Sequence, residues 1–143
     1  MNDEELRTAR RALETYNAQL EGLSRQMSIL RATRDETARA SRALRAIAGA
    51  KVGEEVLVPI GASAFIRVHV TGKDTLRSIG NGVSIDIPAD EAADKMDADR
   101  AEVEKAIEET VGTVKEIQGY IRDLSEAIQQ EYSARQAQGR SMQ

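Results

Sequence analysis

Apolar residues recur at alternating steps of three and four in two long stretches of the chain. The first runs Leu6, Ala9, Leu13, Tyr16, Leu20, Leu23, Met27 and Leu30; the second runs Val103, Ile107, Thr110, Val114, Ile117, Ile121, Leu124 and Ile128. Such steps trace the a/d heptad of a coiled-coil seam. Between the two stretches the period changes to two. Val56, Val58 and Ile60 alternate with other residues, as do Ile66, Val68 and Val70, and then Val83, Ile85 and Ile87. Period two with β-branched residues predicts strands, with a weaker strand over Thr75 to Ile79. The expected fold class is α+β: a long antiparallel coiled-coil helical hairpin with two β-hairpins at its base.

The punctuation agrees with this layout. Asn2 or Asp3 can cap a first helix whose opening acids, Glu4 and Glu5, suit the positive end of its dipole. Gly49 is a plausible terminator. About 45 helical residues span roughly 70 Å, wider than a small globule, so the arm is expected to project. Gly61-Ala62-Ser63 suits one hairpin loop, and Gly80-Asn81-Gly82 holds an Asn-Gly turn of type I′. Pro59 is expected to face away from a ladder partner or sit at a bulge. A second helix starts near Pro88 to Asp90 and runs to about Tyr132 or Gln138, with a polar, fraying tail over 134–143. The organisation expected is one domain over 1–143: a helix over 1–49, hairpins for assembly over 54–87 and a helix over 88–138.

In an antiparallel pair of helices, facing residues have a nearly constant summed number. A sum of 137 sets Leu44 by Ala93, Leu30 by Ile107, Leu23 by Val114, Leu20 by Ile117, Tyr16 by Ile121, Leu13 by Leu124 and Ala9 by Ile128. One offset satisfies both patterns. Looser packing is expected midway, where Arg34, Thr37 and Ser41 oppose Val103, Arg100 and Met96. Gly22, Gly112 and Gly119 each weaken a helix by about 1 kcal/mol relative to Ala.

Charge is unevenly spread. Residues 1–48 carry nine Arg against seven acids (+2), residues 49–87 four bases and four acids (0), and residues 88–143 seven bases against thirteen acids (−6). A basic first helix can lie beside an acidic second one. The total of −4 disfavours a nucleic-acid partner. No apolar run approaches the ~20 residues that span a bilayer, so no membrane partner is expected, and the N-terminus lacks an apolar signal region. The chain has no Cys and a single His, His69, which leaves no thiolate or multi-His metal site and no cofactor in prospect. These features together suggest a cytoplasmic protein.

Candidate chemistry is sparse. Gly80-Asn81-Gly82 opens like a dinucleotide fingerprint but lacks its third Gly and the following helix, so it reads as a turn. The acids from Asp86 to Asp99 have no cation-loop spacing and read as a solvated helix start. His69 has no sequence-adjacent catalytic or metal partner, and neither a nucleophile nor an acid/base constellation is present, so no enzyme is expected. Arg7, Arg10 and Arg11 are interspersed with Glu4, Glu5 and Glu14 and read as a solvated face.

Two other features point to association. Isolated two-stranded hairpins are marginal, and their edges offer unpaired N–H and C=O groups to other chains. The base is therefore expected to oligomerise by edge pairing and sheet closure; a self-contained four-stranded cap has little core to hold it. At the far helix ends, Leu6, Leu13, Leu124, Ile128 and Tyr132 either pair with one another or splay and expose an apolar patch.

The block Val56-Leu57-Val58-Pro59-Ile60-Gly61-Ala62-Ser63-Ala64-Phe65-Ile66 and the block Ser78-Ile79-Gly80-Asn81-Gly82-Val83-Ser84-Ile85 resemble the base of archaeal prefoldin alpha subunits. The order of elements agrees, and two hairpins rather than one favour the alpha class over the beta class. The resemblance implies an ATP-independent molecular chaperone, in which two alpha and four beta subunits form a hexamer and the hairpins close an inter-subunit β-barrel. It also implies distal coiled-coil tips that hold non-native client proteins and pass them to a group II chaperonin. Carried onto this chain, it implies an oligomer interface over Val56, Val58, Ile60, Phe65, Ile66, Val68, Val83 and Ile85. The tip residues follow by region only, and Leu6, Leu13, Ile128 and Tyr132 are taken from the seam. The alternative is a structural coiled-coil spacer or filament-forming relative without client transfer.

Overall fold

A computed structural model describes residues 1–141. The element order is α1 (Asp3–Gly49), β1 (Glu55–Gly61), β2 (Ala64–His69), β3 (Asp74–Gly80), β4 (Val83–Pro88) and α2 (Ala89–Ser141). Two long helices and two antiparallel β-hairpins are the expected content. The chain divides into two compact units, one holding Met1–Arg31 with the chain from Lys105 onward, the other Ala32–Glu104.

In the first unit, helical segments meet along the expected seam. Leu6, Met27, Ile107, Thr110, Ile117 and Ile128 are buried. Ala9, Leu13, Tyr16, Leu20, Leu23, Leu30, Val114, Ile121 and Leu124 are half-buried between them. The rings of Tyr16 and Tyr120 lie 5.4 Å apart, so this contact sums to 136. The Arg135–Asp3 pair sums to 138. Both fall within one of the expected offset. Thr110 tolerates burial because its hydroxyl donates to the Ala106 carbonyl oxygen at 2.8 Å.

The start of α1 is a capping box. The Glu5 N–H donates to Asn2 Oδ1 at 2.8 Å, and the Asn2 N–H donates back to Glu5 Oε2 at 3.1 Å, which satisfies two otherwise orphan donors. At the other end, α2 continues through Ser141, past the expected stop by Gln138. Ala134, Arg135, Gln136, Ala137 and Gln138 are good helix formers, and Arg135 is anchored by ion pairs. The residues from 134 to Ser141, expected to fray, are helical in this structure, and Met142 and Gln143 lie outside the described residues.

In the second unit, the hairpins form two separate two-stranded sheets. Each turn has the same construction. Asn81 and Gly82 carry φ of 51° and 73°, preceded by Gly80 at 103°, and Ala62 and Ser63 carry 51° and 60°, preceded by Gly61 at 105°. Both are two-residue loops with two successive left-handed residues, and the register shifts at the Gly before each. Pro59 borders the first of these shifts, where its missing N–H costs the ladder least. The core of the unit is small: Ala50, Val70, Ile87, Ala89, Ala92 and Ala93 are buried. Backbone bonds hold the hairpins to it. Gly53 N–H donates to the Val70 carbonyl oxygen, Val70 N–H to that of Glu54, and Ala89 N–H to that of Lys73.

The stretch expected to be loosely packed holds a polar network. Ser41, buried at a seam position, donates to Asp97 Oδ1 at 2.6 Å. Arg45 Nη2 donates to Asp94 Oδ1 at 2.7 Å and Asp97 Oδ2 at 2.9 Å. The partner is thus Asp97 rather than the neighbouring Met96. Ser41 and Arg45 hold Asp97 below the usual aspartate range, and Asp94 and Asp97 raise Arg45. Asp94, Asp97 and Asp99, read from sequence as a solvated helix start, are cation partners, with Arg77 of β3 donating to Asp99 at 3.3 Å.

Candidate assembly surface and helix-tip site

Strand register decides which hairpin residues share a face. In β1–β2, Val56 faces Val68 and Val58 faces Ile66 across one side of the ladder. The opposite side carries Leu57 against Arg67, Pro59 against Phe65 and Glu55 against His69. In β3–β4, Ile85 and Ile87 share a side with Arg77 and Thr75. Of the eight residues singled out for an oligomer interface, Val58, Ile60, Phe65, Ile66, Val83 and Ile85 are exposed and Val56 and Val68 are half-buried. Phe65, the only Phe, is 60% exposed and lies on the side opposite Val58 and Ile66. Leu57, Leu76 and Ile79 are also exposed. Leu57 lies on the Phe65 side of its ladder, and neither Leu57 nor Leu76 is among the eight.

So many solvent-facing aliphatic side chains in two short hairpins are unfavourable by about 25 cal/mol per Å2 of apolar surface left in water. Scattered exposed apolar residues are ordinary, whereas a contiguous group of them marks an interaction surface.

The four residues singled out at the helix tip sit together in the first unit. Leu6 and Ile128 are buried, and Leu13 and Tyr132 are half-buried. None of the four is solvent-exposed, as in a closed seam. Arg10 stands over the Tyr132 ring with its guanidinium carbon 5.5 Å from the centroid. Beyond Ile128 the next seam positions are Glu131 and Arg135, both half-buried. Arg135 donates through Nε to Glu131 Oε1 at 2.9 Å and through Nη1 to Asp3 Oδ1 at 2.8 Å. The Met1 amino group lies 3.1 Å from Glu131 Oε2. Hydrogen bonds from Arg135 and then from that amino group hold the Glu131 carboxyl below the usual glutamate range.

Other candidate chemistry resolves structurally. His69 is exposed, with Nδ1 3.3 Å from the Gly53 carbonyl oxygen. Among the described residues no cluster of His, Asp or Glu is arranged to hold a metal ion. No described helix is long and apolar enough to cross a membrane. An open groove of about 460 Å3 beside the seam is lined by Leu20, Leu23, Met27, Val111 and Val114.

Comparison with known proteins agrees with this geometry. The family model described as prefoldin subunit matches residues 16–134. A prefoldin subunit alpha of Methanothrix thermoacetophila is 32% identical over 96 residues, 66% of this chain and 63% of that protein, so the aligned part spans just under two thirds of that relative. A prefoldin subunit alpha of Methanoculleus marisnigri is 32% identical over 136 residues, 94% of this chain and 91% of that protein. Among solved structures, the filamentous prefoldin of Methanocaldococcus jannaschii, determined by electron cryo-microscopy, shares the fold with a TM-score of 0.63 at 24% identity, covering 82% of this chain and 98% of that one. Prefoldin family members are chaperone subunits rather than enzymes, and they assemble with other prefoldin subunits. The match over 119 of the 143 residues and the alpha-subunit relatives establish that the chain belongs to the prefoldin family, in its alpha class.

Proposed function

We propose that this chain is a subunit of a cytoplasmic, ATP-independent holdase, joined through its hairpins to beta-class subunits in a hexamer of two alpha and four beta. The observation that carries the reading is the solvent exposure of Val58, Ile60, Phe65, Ile66, Val83 and Ile85 on strands with open edges. Edge pairing by neighbouring subunits would close these strands into a barrel and remove the apolar surface from water. Non-native clients would be held at the tips by Leu6, Leu13, Ile128 and Tyr132 and passed to a group II chaperonin. A single tip buries little client surface after ordering costs, so several arms on one base act together through effective concentration.

The test mixes the chain with a beta-class partner, then measures particle mass and the suppression of aggregation of a chemically unfolded protein. A defined hexamer that suppresses aggregation supports the reading. Open-ended polymers without suppression would favour a filament or spacer subunit. Removing the first ~10 and last ~20 residues is expected to abolish suppression and leave the hexamer intact.

A further inference from the structure

We propose that Arg135 is a latch that keeps the helix tip closed over its own apolar residues, so that clients gain the tip when the latch is released. The proposal rests on the reading of Leu6, Ile128 and Tyr132 as client contacts. All three are withheld in the structure, two by burial and one beneath the Arg10 guanidinium.

The geometry is specific. A single planar guanidinium spends its three nitrogens on three acceptors: Glu131 Oε1 at 2.9 Å, Asp3 Oδ1 at 2.8 Å and the Met1 carbonyl oxygen at 3.3 Å. It thereby joins the last turns of α2 to the residues directly ahead of Leu6. Arginine suits this because its donors form a fixed fork that never deprotonates. The Glu131 side chain is 17% exposed, but Arg135 is 38% and Asp3 82% exposed, so water and salt reach the cluster.

The seam itself explains why closure falls to this residue. The heptad steps that place Leu124 and Ile128 continue to 131 and 135, where Glu and Arg replace the apolar residue the pattern calls for. Past Ile128, the segment Tyr132-Ser133-Ala134-Arg135-Gln136-Ala137-Gln138 offers one large apolar side chain. An apolar end would keep the tip shut permanently. A charged end closes it by contacts that water and salt compete for, and helix ends with few apolar contacts open at low free-energy cost.

The test uses the full chain assembled with its partner subunits. Arg135→Gln and Asp3→Asn are compared with wild type by amide hydrogen exchange over residues 3–13 and 124–135, and by capture of urea-unfolded, reduced lysozyme. Several-fold faster exchange at both segments, with half-suppression of aggregation at a lower chaperone ratio, is the expected result. A second variant, Glu131→Leu with Arg135→Leu, completes the apolar seam and is expected to slow exchange and weaken capture. Unchanged exchange in the first two variants would overturn the latch and leave the tip reading standing. Faster exchange with unchanged capture would overturn the tip reading itself.

Discussion

Ser41 of α1 and Asp97 of α2 share a 2.6 Å hydrogen bond at a seam position where a coiled coil ordinarily places two apolar side chains. Single buried polar contacts of this kind fix register and pairing at some cost in stability. Because Arg45 leans on the same carboxylate, removing Asp97 breaks two hydrogen bonds, leaving Ser41 without its partner and Arg45 with Asp94 alone, while removing Ser41 breaks one. Asp97→Ala is therefore expected to lower the thermal midpoint more than Ser41→Ala. The double variant should match Asp97→Ala alone rather than the sum, as groups in one network are not additive. Calorimetry on the four proteins of this cycle checks the ordering.

Acid should weaken the protein through two named carboxylates. Ser41 and Arg45 depress Asp97, and Arg135 with the Met1 amino group depresses Glu131. A carboxyl whose folded-state value is depressed contributes stability above its ordinary value, 3.8 for Asp and 4.5 for Glu here, and that contribution is lost as pH falls through the folded-state value. Urea midpoints measured downward from neutral pH are expected to fall at pH below those ordinary values, modestly because both groups are solvent-screened. Asp97→Asn and Glu131→Gln should each start lower at neutral pH and show a shallower acid limb.

Three helix-interior glycines have no packing reason to be glycine. A Cβ at Gly112 or Gly119 would meet nothing within 4 Å, and at Gly22 only the end of Arg25, at 3.9 Å. Gly112→Ala and Gly119→Ala are each expected to stabilise the helix by about 1 kcal/mol, read as a shift in urea midpoint without change in slope.

The first hairpin turn is strained where the second is not. Ala62 and Ser63 occupy the left-handed region that Asn81 and Gly82 occupy more cheaply. Replacing Ala62-Ser63 with Asn-Gly is expected to stabilise the hairpin by about 1–2 kcal/mol, chiefly at Ser63, where Gly removes a left-handed cost of about that size. Exchange protection of the β1–β2 ladder amides measures it.

Much of this architecture was legible in the amino-acid order because it rests on periodic burial. The seam residues from Leu6 to Leu30 and from Val103 to Ile128 lie buried or half-buried, and the register offset read from them predicts the Tyr16–Tyr120 and Asp3–Arg135 contacts to within one residue. The Asn-Gly turn was legible because positive φ restricts the residues that fit. Polar contacts were not. Ser41 and Asp97 carry no periodic signal, and the Arg135–Asp3 pair joins residues 132 positions apart that only the folded helices bring together. The Asn2–Glu5 capping box did have a local signal, an Asn followed three residues later by Glu. Which face of β1–β2 carries Phe65 follows from its phase, so the interface residues fall on two faces of the hairpin rather than one.

The most direct test of the central claim, that the apolar hairpin faces are the assembly surface, is native mass spectrometry of Val58→Ser with Ile66→Ser mixed with a beta-class subunit. The two residues face each other on the ladder and both stand in solvent in the isolated chain. The expected outcome is a hexamer for the wild-type chain and unassembled subunits of unchanged helix content for the variant. A variant that forms the same hexamer as wild type would contradict the account.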